Sequence, residues 1–77
     1  MSIRVVIKGE VVGPGQKAYR IGTPNERGIC RDRDYSDPYD KEGLVTYLGH
    51  NYPGASIVWA GDISGRDKRD FRGAVSQ

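Results

Sequence analysis

Apolar and polar residues alternate with a period of two at the start of the chain. In Ile3-Arg4-Val5-Val6-Ile7-Lys8-Gly9-Glu10-Val11-Val12, Ile3, Val5, Ile7 and Val11 share one face, and Arg4, Lys8 and Glu10 share the other. β-Branched residues dominate the run, so it predicts a strand. Gly13-Pro14-Gly15-Gln16 interrupts it with type II turn chemistry: proline presets φ, and the following glycine accepts a positive φ. From Lys17 to Gly22 the alternation resumes, with Tyr19 and Ile21 on one side and Ala18 and Arg20 on the other. Two strands joined by that turn predict an antiparallel hairpin.

Thr23 to Gly28 is a second cluster of turn residues. Ile29 to Arg33 holds only two apolar residues, Ile29 and Cys30, and reads equally as a solvated edge strand or an ordered loop. Ser36-Asp37-Pro38-Tyr39-Asp40 predicts a helix start, with Asp37 as cap, Pro38 at the first helical position, and Asp40 and Glu42 at the positive end of the dipole. Leu44, Tyr47, Leu48 and Asn51 or Tyr52 then recur on one helical face. Gly43 and Gly49 weaken that helix by roughly 1 kcal/mol each, so it leans on the sheet. Asn51 offers a left-handed cap and Pro53 stops the helix.

Ala55 to Ala60, centred on Ile57-Val58-Trp59, is continuously apolar and predicts a central strand covered on both faces. Beyond it, residues 63–77 are charged and anchored only by Phe71 and Val75, which predicts a flexible tail. The expected architecture is α+β. Residues 1–62 form a mostly antiparallel β-β-(β)-α-β domain, with one helix packed on one face of a small sheet and the charged tail behind it.

Composition narrows the function classes. At 77 residues the chain fits one domain with a thin core. A net charge of +2 is compatible with an acidic partner and requires none. Cys30 is the only cysteine, so no internal disulfide forms. With no leader-like or membrane-spanning apolar run, the expectation is a cytoplasmic protein without membrane association.

No motif assembles chemistry. Asp32, Asp34, Asp37, Asp40 and Glu42 crowd together, but a calcium loop starting at Asp32 would need glycine and glutamate where Asp37 and Gly43 stand. Helix capping and ion pairs with Arg31, Arg33 and Lys41 account for these acids. His50 suits the negative end of the helix, and Cys30 suits a small buried position. Gly13-Pro14-Gly15 lacks the lysine and hydroxyl residue of a phosphate loop. No catalytic, metal or cofactor site is expected, and the chain reads as non-enzymatic.

The aromatic set carries more information. Of seven large rings, Tyr35 and Tyr39 flank a turn and a helix start, and tyrosine and arginine are frequent interface anchors. Arg31, Arg33, Tyr35 and Tyr39 are therefore the candidate partner-binding patch; rings capping a thin core are the bland alternative. A second class of function, nucleic-acid binding, would use Arg4, Lys8 and Arg20 on the sheet with Arg66, Lys68 and Arg69 of the tail, although with so small a net charge a solvated face and tail is the simpler account of them. A third is oligomerisation through an edge strand left open by the short sheet.

The layout of short strands from Ile3 to Ile21, one helix after Ser36-Asp37-Pro38 and a closing strand at Ile57-Val58-Trp59 resembles the small accessory proteins of phages and mobile elements, a class that includes anti-CRISPR inhibitors. That resemblance implies a viral or mobile-element protein that blocks a host protein or protein complex by occupying its surface.

Overall fold

The computed structural model describes residues 3–76, and the alternating start of the chain forms its central strand, β1 (Arg4–Gly13). Strand β2 (Gln16–Gly22) returns antiparallel through the Pro14-Gly15 turn, where Gly15 takes the positive φ that the turn requires. Helix α1 (Lys41–Asn51) then leads to β3 (Ser56–Gly61), which pairs with β1 in parallel. The sheet order is β2-β1-β3. A last helix, α2 (Gly65–Val75), completes an α+β fold with one mixed three-stranded sheet.

Several expectations change. The run Ile57-Val58-Trp59 forms an edge strand, not a central one: β1 occupies the middle, where Val5 and Ile7 are buried on one face and Val6 on the other. On β3 only Ile57 and Trp59 pack towards the core, and Val58 remains 45% exposed on the opposite face. Ile3 and Val11, read as core-facing, are exposed at the two ends of the strand.

The helix starts later than its Asp37-Pro38 signature suggests. Tyr39 is held in an extended bridge to Tyr19, donating to its carbonyl and accepting from its N–H. The chain therefore turns helical only after Asp40, whose Oδ1 caps the Gly43 N–H at 2.7 Å. Asn51 is the last helical residue, and the positive φ falls on Gly54. Residues 29–33 form no strand. Asn25 draws them into a loop through its own side chain, which accepts from the Arg27 and Ile29 N–H groups, and a single 3-10 turn follows at Asp32–Asp34.

The largest correction concerns residues 63–77. Instead of a flexible tail, residues 65–75 form α2, and Phe71, Ala74 and Val75 are buried in the core beside Leu44, Leu48, Val5, Ile7 and Tyr19. Those three residues follow the i, i+3, i+4 spacing of one helical face. Ser64 Oγ accepts the Asp67 N–H and caps the start. At the far end the Val75 carbonyl accepts from Gly54 N–H at 2.6 Å, which ties α2 to the turn before β3. Both helices thus cover one face of the sheet, where two were not expected.

Candidate functional site

Two polar arrangements and two sheet edges define the surface. The first arrangement locks the helices together. Lys41, the first residue of α1, bridges to Asp67 at 3.0 Å and Asp70 at 2.6 Å on α2, and the Tyr19 hydroxyl donates to Asp67 from the sheet. Burial, the bond to Asp67 and the nearby Asp62 charge push Tyr19 up to about 12. The same tyrosine, then Lys41, holds Asp67 below the usual carboxylate value, and Asp70 followed by Asp67 raises Lys41.

These shifts fix the pH behaviour. Asp67 has a folded pKa below its unfolded value of about 3.9, so its stabilisation is full above that pH and is lost as pH falls through the acid range. Tyr19 has a raised folded pKa, so its contribution is intact below pH ~10 and is lost between about 10 and 12. Urea midpoints measured across pH should therefore decline at both ends. Asp67→Asn should flatten the acid decline and Tyr19→Phe the alkaline one, each lowering neutral stability by about 1–3 kcal/mol. Unchanged slopes in both variants would refute the assignment.

The second arrangement lies on the opposite face. Lys8 sits 5.4 Å from the Tyr35 ring centroid and 3.9 Å from both Glu10 and Asp32, while Arg20 pairs with Glu10 at 3.2 Å. These five side chains line a hollow of about 310 Å³. Gly22 opens room for it: a β-carbon there would run into Cys30 Sγ and the Tyr35 ring. Burial, then the bond to Cys30, raises the Tyr35 pKa. Mixed charge makes this hollow self-neutralising.

The candidate partner patch is divided. Arg31, Arg33 and Tyr35 stay together around the 3-10 turn on this open face. Tyr39 lies on the helical face, stacked on Tyr47 at 5.5 Å, with Tyr52 5.9 Å beyond. The candidate nucleic-acid set divides in the same way. Arg4, Lys8 and Arg20 belong to the open face, interleaved with Glu10 and Asp32, whereas Arg66, Lys68 and Arg69 belong to α2 on the covered face. No single track joins the two sets. His50, at the exposed end of α1, and Cys30, against Gly22, also lie on opposite sides of the sheet.

A groove of about 590 Å³ runs between the helices, floored by Val45, Gly73 and Ala74 and rimmed by Lys41, Arg69 and Asp70. Among the described residues, no three His, Cys, Asp or Glu side chains are placed to hold a metal ion, and no helix is long and apolar enough to cross a membrane.

The two sheet edges are treated differently. Residues 35–39 close the outer side of β2: Ser36 N–H donates to the Ile21 carbonyl at 2.8 Å, Ser36 Oγ accepts from Ile21 N–H, and Tyr39 exchanges both backbone bonds with Tyr19. β3 has no such cover. Among the described residues it pairs with β1 alone. Ser56 N–H donates to Ile3 at 2.7 Å, and Asp62 N–H donates to Gly9 at 3.1 Å. Parallel pairing in this register aims the Val58 and Ala60 backbone groups at β1 and turns those of Ile57 and Trp59 outward. Sequence reasoning anticipated an open edge but did not place it here, because the apolar run suggested a strand covered on both sides. The open edge carries no charged residue and no proline, the features that natural edges use to deter pairing.

No family model, curated protein or solved structure matches the chain.

Proposed function

We propose that this chain is a non-catalytic binding protein, an inhibitor or adaptor of phage or mobile-element type that occupies the surface of a host protein complex. What supports the reading is the asymmetry of the sheet. One edge is sealed by the protein's own residues 35–39, and the other offers unpaired backbone groups on an uncharged strand. Such an edge is a template for association with another polypeptide. The half-buried tyrosines 39, 47 and 52 add a ring surface of the kind that anchors interfaces.

Affinity capture tests this. The immobilised full chain, incubated with lysate of its host cells, should retain a protein partner that survives washing at about 0.15 M salt and is not consumed with time. An eluate without any enriched protein would contradict the proposal.

A further inference from the structure

The outer edge of β3 is flanked by charge of one sign. On α2, Asp67 and Asp70 turn towards Lys41 of α1, whereas Lys68 and Arg72 lie over the Trp59 ring at 6.0 and 5.6 Å. The helix therefore turns both acids to its neighbour and two of its four bases, Lys68 and Arg72, towards the open strand, while Arg69 rims the groove between the helices. Among the described residues, neither Lys68 nor Arg72 has a carboxylate within 4.0 Å. The single acid at the end of the strand, Asp62, is already paired with Lys17 at 3.9 Å.

Resting on the binding role proposed above, we infer that β3 accepts an extended, acidic segment of a partner protein as an added strand. Ile57 and Trp59 would supply the backbone bonds, and Lys68 and Arg72 would attract the charge. The backbone row selects a polypeptide, because a phosphate chain cannot both donate to and accept from alternate residues of a strand. The flanking cations select acidic side chains. They also disfavour a second copy of this chain. Antiparallel pairing of two β3 strands would set both α2 helices on the same face and bring Lys68 and Arg72 of one copy towards those of the other.

Four observations on the isotope-labelled full chain test the inference by amide hydrogen exchange. A blocked eight-residue peptide of alternating glutamate and valine should slow exchange at Ile57 and Trp59 tenfold or more while leaving Val58 and Ala60 unchanged. The lysine–valine counterpart should give less than twofold slowing, and the double variant Lys68→Glu, Arg72→Glu should reverse that preference. Ile57→Pro should abolish the effect. It removes an outward N–H and no bond to β1 but also trims a core-facing side chain, so circular dichroism checks its fold. The double variant, which leaves the core intact, carries the test if Ile57→Pro unfolds.

Equal slowing by both peptides, or none by the acidic one, would overturn the inference. So would slowing that grows with protein concentration alone, which would mark a second copy, or slowing produced only by an oligothymidylate. Lysate capture separates the two levels. A partner retained equally by wild type and Ile57→Pro removes the edge and leaves the binding role standing, whereas an empty capture removes the role itself.

Discussion

Phe71→Ala should unfold most of the protein at ambient temperature. The ring is fully buried and meets Tyr19 edge-on at 5.1 Å and Trp59 at 6.3 Å, which makes it the link between α2 and both outer strands. Truncating a buried phenylalanine removes about 3–5 kcal/mol. A chain of this length carries roughly 4–12 kcal/mol in total, and cores this small usually lie near the low end. A chain ending at Ile63 should fare worse, because it also loses Ala74, Val75 and the carboxylates that hold Lys41. Far-ultraviolet circular dichroism and urea titration would show it. A truncated chain with native β-sheet signal and a cooperative transition would mean that α2 is an appendage.

Gly9→Ala should be nearly as damaging, for a steric reason. Gly9 is buried where β1 and β3 part, and a β-carbon there would occupy the space of the Asp62 carbonyl and the Ile63 side chain. Across the gap, Gly61 has φ +70°, and its own β-carbon would strike the Gly9 carbonyl. The nearest obstacle on both sides is backbone, which cannot swing aside, so the effect should reach the upper end of the ~1–3 kcal/mol typical of overpacking, or beyond it. For a domain of this size, 3 kcal/mol corresponds to a fall in Tm of roughly 12–24 °C. Gly73→Ala is the control: nothing lies within 4 Å of its added carbon, and helix propensity predicts a gain of about 0.5–1 kcal/mol. Equal Tm values for Gly9→Ala and the wild type would refute the close approach.

Local chemistry made much of this fold legible. Alternation from Ile3 to Ile21 and the Pro14-Gly15 turn specify the hairpin, because a half-buried strand repeats every two residues. Leu44 and Leu48 specify the buried face of α1. The last helix escaped because its composition spoke louder than its periodicity. Arg66, Asp67, Lys68, Arg69 and Asp70 suggest solvent, yet Ser64 caps the segment and Phe71, Ala74 and Val75 repeat at helical spacing. Parallel pairing of β3 with β1 is a long-range choice that no local pattern encodes.

The candidate site was readable only in part. Tyr35 and Tyr39 are near neighbours in sequence and suggested one patch. Their bridges to Gly22 and Tyr19 are four positions apart on the 35–39 segment and three apart on β2. That mismatch of one residue turns the two rings to opposite faces of the sheet. The open edge was anticipated as a possibility of a short sheet, but not its position. Ile57, Val58 and Trp59 look alike in hydropathy, and only their register with β1 shows which backbone groups are free.

The unpaired edge of β3 is the feature on which the binding role depends, and amide hydrogen exchange in the free protein measures it directly. Val58 and Ala60, bonded to β1, should exchange slowly, while Ile57 and Trp59 should exchange at rates close to those of exposed loops. Slow exchange at all four amides in dilute solution would mean that the edge is already covered, and would contradict the account.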